Sequence, residues 1–234
     1  MTSESPSKKL HTEDDGKIFE MGICMCLEIP YDGSYKYVGP EDTAKADQIS
    51  SRLKSGIFRD LLGDTFSHTA KRGARYDFTS TTEAKHLSAK TCKKGIGKIA
   101  PQVMGQCQPA KFCETMNIEF TDIITTKKWI QENTATVLSK MVEYTFDCPN
   151  IYYNVAADTI LYITLASPID WSSYEYEWTR DYETWANSST VKIKKVGPIA
   201  EFQFHTKSRT NMANRWVYDN LWKFFPENFK VIVL

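Results

Sequence analysis

The sequence lacks net charge: 29 Lys and Arg balance 29 Asp and Glu. That balance argues against a protein that coats nucleic acid without regard to sequence, and it leaves room for a local basic cleft. No apolar run approaches the ~20 residues of a membrane span. The opening stretch MTSESPSKKLHTEDDG has no apolar core of the signal-peptide kind, so a cytoplasmic protein without a membrane partner is expected. The six cysteines (24, 26, 92, 107, 113 and 148) include no C-x-x-C pair and no partnering histidines at zinc spacing, which leaves buried, reduced thiols as their reading. There is no G-x-S-x-G, no G-x-x-x-x-G-K-[ST] and no H-E-x-x-H, and Gly95-Ile-Gly97-Lys98 is not flanked as a phosphate loop. Hydride-transfer and kinase chemistry therefore have no anchor. Internal repeats and low-complexity tracts are absent as well.

What is present suits a folded enzyme-sized chain. With 234 residues, 41% hydrophobic and 25% charged, it can bury a full core in one α/β domain. Polar residues 1–16 read as a flexible arm and 17–234 as a single domain. Apolar residues nearly all round Ile18–Ile29 predict a helix packed on a sheet and stopped by Pro30. Glu20 stands out in its first turn, where a lone acid suits the helix dipole. Helical spacing covers Glu41–Leu62 with a kink at Gly56, and again Lys127–Phe146 and Asn211–Phe225. Residues 110–126 read as a connector with strand-like pieces. Strands are expected over 151–156, 159–166, 191–196, 199–204 and 229–234. Together these predict an α/β fold, a mixed central β-sheet flanked by helices.

The chain is organised around residues 73–106. ARYDFTS (74–80) carries β-friendly Tyr, Phe and Thr, and HLSAKT (86–91) alternates, so Leu87 and Ala89 face a core while Ser88 and Lys90 form an open polar face. With Thr81–Lys85 as the turn, Asp77 stands across from Ser88 and Lys90. A carboxylate and an ammonium held together at a sheet edge suit metal-assisted phosphodiester hydrolysis. Five lysines and no acid lie between residues 85 and 98, so Lys93 and Lys94 directly follow that strand, as backbone-phosphate contacts would. Pro101 reads as the first turn of a helix, with Gln102 and Gln106 one turn apart on one face.

Asp77, the strand Ser88-Ala89-Lys90 and the run Lys98–Gln106 resemble the PD-(D/E)XK nuclease core, and more narrowly a type II restriction endonuclease. The resemblance is close over about thirty residues; elsewhere it follows only the order of elements. It implies a restriction-endonuclease-like fold, Mg²⁺ as cofactor and double-stranded DNA as substrate, cut at a defined sequence to leave 5′-phosphate ends. It also implies Asp77 as a metal ligand and Lys90 as the residue that positions the attacking water. Glu83-Ala84-Lys85 spells the acidic motif outright, but its register gives a poor core face; Ser88-Ala89-Lys90 has the better face and lacks the acid. Some members carry Ser at that position and take a carboxylate from a preceding helix, which makes Ser88 and Glu20 the corresponding residues, with Glu20 on the metal.

Late in the chain, Glu201, Gln203 and His205 share one face of a strand, and Lys207, Arg209 and Arg215 cluster at the entrance of the expected helix, an anion-attracting place. A strand of hydrogen-bonding residues followed by basic residues at a helix entrance resembles late segments of some restriction enzymes, which makes Gln203, His205, Arg209 and Arg215 DNA-contact candidates. Asp170–Asn187 holds three Trp and three Tyr with excess acid, which reads as a meander packing on the core. Two cuts at a palindromic site imply a homodimer. A structure-specific repair or recombination nuclease of the same fold, or a non-catalytic DNA-binding protein, are the alternative readings.

Overall fold

Helix α1 (Thr12–Leu27) opens the computed structural model, which describes residues 12–33, 39–71, 74–205 and 211–234. Then come α2 (Pro40–Lys54), α3 (Phe58–Leu62), β1 (Phe66–His68), β2 (Phe78–Ser80), β3 (His86–Cys92), β4 (Lys98–Ile99) and β5 (Gln106–Cys107). Three helices follow: α4 (Pro109–Thr115), α5 (Ile123–Glu132) and α6 (Thr134–Phe146). Strands β6 (Asn150–Asn154), β7 (Thr159–Leu165), β8 (Tyr176–Trp178), β9 (Ser188–Ile193), β10 (Gly197–His205) and β11 (Asn211–Val217) lead to α7 (Tyr218–Phe224) and β12 (Phe229–Val233).

The strands make two sheets. The first runs β1-β2-β3-β6-β7-β12 and is mixed, because β3 and β6 are parallel and every other neighbour is antiparallel. A parallel pair needs a long crossover, which here carries β4, β5 and α4–α6. The second sheet runs β4-β11-β10-β9-β8, with β5 also on β11, and is wholly antiparallel. A mixed sheet with helices agrees with the expected α/β class; the second sheet departs from the expectation of one central sheet.

Two cores form, one between the first two helices and one face of the first sheet, the other joining the opposite face of that sheet to the second sheet and α6. Ile18, Phe19 and Ile23 of α1 pack with Ile49 and Leu53 of α2, Phe78, Leu87 and Ile151. At Gly22 an added Cβ would sit 2.7 Å from Ile49 Cγ2, so glycine is what lets α1 and α2 approach this closely. The second core gathers Val137, Leu138 and Met141 of α6 with Trp171, Trp185, Phe202, Phe204 and Trp216. The aromatic meander is thus core: Trp171 and Trp185 are buried, and Trp178 packs on Trp185 and Phe202 with ring centroids 5.5 and 5.4 Å apart. Buried Lys127 donates to the Trp185 carbonyl at 2.6 Å and ties that meander to α5.

Several elements differ from expectation. Helix α1 begins at Thr12, inside the stretch read as an arm, so Glu20 lies two turns along and is buried instead of occupying a first turn. Residues 1–11 lie outside the described residues. The long helix 41–62 is two helices with a break at 55–57, next to Gly56. The connector 110–126 holds α4 and the start of α5 in place of strands, and Asp122 caps α5 by accepting from the Thr125 amide at 2.8 Å. The helix 127–146 breaks at Asn133.

Two corrections bear on the site. Pro101 starts no helix. Residues 98–107 are two short strands on β11 with a tight loop between them, held by the Asn214 amide on the Gly105 carbonyl at 2.8 Å and by Asn214 Nδ2 on the Met104 carbonyl at 2.6 Å. Residues 211–217 are strand β11, not helix, so Arg215 lies mid-strand opposite Glu201 and the helix-entrance argument fails for it. Arg209 and Lys207 lie outside the described residues.

Candidate active site

The β2–β3 hairpin has the turn at 81–85 that the alternation of residues 86–91 predicts, with Phe78 opposite Leu87 and Thr79 opposite His86. That register faces Leu87 into the first core and turns Ser88 and Lys90 the other way. The polar face is covered, however. Ser88 has no exposed surface, because the 100–105 loop lies over it and Gln102 Nε2 donates to Ser88 Oγ at 2.6 Å. Gln102 thus binds the hairpin, while Gln106 is exposed on β5; the two do not share a helix face.

Asp77 is fixed by β3 itself. Its Oδ2 accepts from the Ala89 amide at 2.7 Å and from Ser88 Oγ at 3.0 Å. Its Oδ1 has no partner among the described residues. Burial pushes the Asp77 carboxyl above its usual range and the charge of Glu20 adds to this, against the pull of Lys90, the Ala89 amide and the Ser88 hydroxyl. Lys90 is moved in the opposite sense: burial pushes its ammonium down, against the attraction of Asp77 and smaller contributions that include Glu20. Lys90 forms no direct ion pair among the described residues. Asp77 and Lys90 of the hairpin and Glu20, far away in sequence, therefore share one electrostatic neighbourhood. Helix α1 supplies Glu20 by packing over β3.

Lys85 lies elsewhere. It is exposed at the turn and pairs with Glu83 at 2.6 Å. The Glu-Ala-Lys spelling is a surface ion pair.

A cleft of about 870 Å³ extends from Ala89 and Lys90 between the two sheets. Lys93, Lys94, Gln102, Gln106, Gln203 and Arg215 all line it, together with Lys98 and Glu201. Asp77 and Glu20 lie outside its walls, and Asp77 connects to it through its bond to the Ala89 amide. Lys93 also pairs at 2.9 Å with Asp15, a buried aspartate that holds Lys45 as well, at 2.8 Å. Glu201, nine-tenths buried, receives Lys98 Nζ on one oxygen and Gln203 Nε2 on the other. His205 is exposed at the end of β10 and does not line the cleft.

Sequence reasoning missed two groups here. Glu201 was visible only as the third member of a strand face. His68, whose Nε2 lies 3.2 Å from Glu20 Oε2, sits on a three-residue strand too short to show a period.

The carboxylates here that could hold a cation are Asp77 and Glu20; among the described residues no group of three His, Cys, Asp or Glu could hold a metal. Mg²⁺ takes hard oxygen ligands, commonly from one or two carboxylates, and keeps waters and substrate phosphate for the rest. Asp77 Oδ1 and Glu20 Oε1, both without hydrogen bonds among the described residues, fit that demand. No helix of the described residues is long and apolar enough to cross a membrane.

Comparison with known proteins gives one strong likeness. The chain is 36% identical over 228 residues to a protein of Paramecium bursaria Chlorella virus 1 named Type II restriction enzyme CviAII. The alignment covers 96% of this chain and 64% of that protein, so the chain spans a little under two thirds of its relative's length. No protein-family model matches the chain, and no solved structure matches it.

Proposed function

We propose that this chain is a Mg²⁺-dependent endonuclease of the PD-(D/E)XK kind that cleaves double-stranded DNA at a defined sequence, acting as a type II restriction enzyme. What supports the reading most is that Asp77 is bonded to Ser88 and the Ala89 amide on the strand that carries Lys90, next to a cleft lined by lysines, glutamines and an arginine, with the charge of Glu20 acting on both. The likeness to the viral restriction enzyme supports it independently.

In this reading Asp77 and Glu20 hold the cation, which when bound supplies positive charge to the phosphate under attack. Ser88 and the Ala89 amide keep Asp77 in place by occupying its Oδ2 and leaving Oδ1 for the ligand role. Lys90, whose proton is loosened by burial, orients the attacking water and offsets charge on the transition state. In-line attack by that water leaves a 5′-phosphate and a 3′-hydroxyl. Lys93 and Lys94 contact backbone phosphates, which position the duplex without reading it. Gln102, Gln106, Gln203 and Arg215 offer the amide and guanidinium groups that read base edges. His205, at the end of β10, and Arg209, outside the described residues, remain proposed contacts. Two such chains related by a two-fold axis would cut both strands of a palindromic site.

Plasmid DNA incubated with the purified chain tests this. Discrete fragments in Mg²⁺, none in EDTA, and loss of cutting in Asp77→Asn and Lys90→Met are the expected results. Binding without cleavage in either Mg²⁺ or Mn²⁺ would sink the catalytic reading, and cutting confined to junctions or mismatches would move it to repair.

A further inference from the structure

We infer that His68 is a positioning residue for Glu20, holding one carboxylate oxygen from behind so that the other is presented to a divalent cation. The inference rests on the proposed role of Glu20 and deepens it.

Both ring nitrogens of His68 are engaged. The backbone N–H of Asp32 donates to Nδ1 at 3.1 Å. A proton on Nδ1 would set two donors face to face, so Nδ1 is the bare nitrogen and the ring proton sits on Nε2. Nε2 lies 3.2 Å from Glu20 Oε2 and therefore donates to it. The tautomer is thus dictated by a backbone amide on the far side of the ring. The ring itself is locked: its side chain has 0% exposure, stacks on Tyr31 at 4.8 Å and packs against Phe78 at 5.1 Å between centroids. Lys17 Nζ, 3.4 Å away, supplies a second, weaker donor to the same Oε2.

The result is a carboxylate with both donors on one oxygen. Glu20 Oε1 has no hydrogen bond among the described residues, and the carboxylate's charge reaches Asp77 and Lys90. A glutamate in mid-helix, with several rotatable bonds, would otherwise sample many directions; a fixed donor behind it removes most of that freedom. Outer partners of metal-ligating carboxylates are typically worth about 10- to 100-fold in metal affinity.

The test uses the full chain without DNA. Mn²⁺ affinity is measured by titration calorimetry for wild type, Glu20→Gln, His68→Phe and His68→Gln, and the His68 ring nitrogens are assigned in wild type by ¹⁵N–¹H long-range correlation. Phe keeps the stacking and loses the donor; Gln places an N–H near the position of Nε2. The expected results are an Nε2–H tautomer, about tenfold or greater weakening of Mn²⁺ binding in His68→Phe, and recovery of most of it in His68→Gln. An Nδ1–H tautomer in wild type overturns the inference even if the Phe variant fails to fold. So does His68→Phe binding Mn²⁺ within twofold of wild type while Glu20→Gln binds poorly. Should Glu20→Gln bind as tightly as wild type, the assignment of Glu20 as a ligand fails first and the inference falls with it.

Discussion

Replacing Lys90 with Met should separate chemistry from folding. Lys90 makes no direct ion pair among the described residues; its charge is disfavoured by burial and favoured by Asp77 at longer range. Two unit charges 4 Å apart share about 4 kcal/mol at an effective dielectric of 20, which is an upper limit for a pair not in contact. Against the loss of that attraction stands relief from desolvating an ammonium, while Met keeps the unbranched stem. Asp77 also retains its Ser88 and Ala89 donors. The opposing effects nearly cancel, so stability in urea should stay within about 1 kcal/mol of wild type and Tm within about 4 °C. Cleavage should fall by about 10²- to 10³-fold, the ~2.7–4 kcal/mol typical of losing one group aimed at transition-state charge.

The pH dependence has a definite sign. Because the folded state lowers the Lys90 pKa from 10.5, the unfolded chain binds more protons between the folded value and 10.5, and wild-type stability rises with pH through that window. Below it the burial cost is present in full. The Met variant should therefore compare best with wild type at neutral pH, and its relative stability should decline toward pH 10.5. Single-turnover cleavage in Mg²⁺ beside urea melts measures both quantities. Cleavage by the Met variant within tenfold of wild type, or a loss of more than about 3 kcal/mol with an unchanged rate per folded molecule, would refute the reasoning.

Lys85→Ala removes only an exposed pair with Glu83 and should leave stability within about 0.5 kcal/mol and cleavage within about twofold of wild type; a dead Lys85 variant would reverse the choice of strand. Asp77 shifts the other way from Lys90, its raised pKa contributing stability that is full below 3.8 and lost as pH rises through the folded value. Asp77→Asn should flatten that dependence in melts taken from acid to neutral pH. Lys94→Ala, at an exposed cleft position, should weaken binding to all DNA sequences alike and reduce the salt slope, read by anisotropy, by about one phosphate's worth. Trp185→Ala empties a fully packed site in the second core and should cost about 3–5 kcal/mol in urea unfolding.

The hairpin was legible in the sequence because one of its faces packs on a core and the other carries polar groups, so residues 86–91 keep the period of a strand. Strand β11 was not. It sits between β10 and the β4–β5 pair, and Met212, Ala213, Asn214, Trp216 and Val217 are all buried, so no alternation survives to distinguish it from a helix. The loop at 100–105 was misread for a related reason: Pro101 suits a helix start as well as a turn, and the bonds from Asn214 that decide the matter come from more than a hundred residues away. At the site, Asp77 and Lys90 could be paired from local register alone. Glu20 needed the family resemblance, and His68 needed the fold.

The bond from the Ala89 amide to Asp77 ends the pairing of β2 with β3, which runs only from Thr79–His86 to Phe78–Leu87. Beyond that point β3 keeps β6 as its neighbour. The same carboxylate that is proposed to carry the metal therefore closes the hairpin. A slip of one residue would drive Lys90 toward the first core, turn Leu87 out of it and break the Asp77 contacts together. Correct pairing and the proposed site therefore depend on the same register, and a chain in the wrong register would lack that site. If the chain is the nuclease proposed above, partly folded copies would be unable to nick the DNA around them. It also makes alanine a poor probe at Asp77, since it would report on the hairpin as much as on the reaction, whereas asparagine keeps an acceptor for the Ala89 amide.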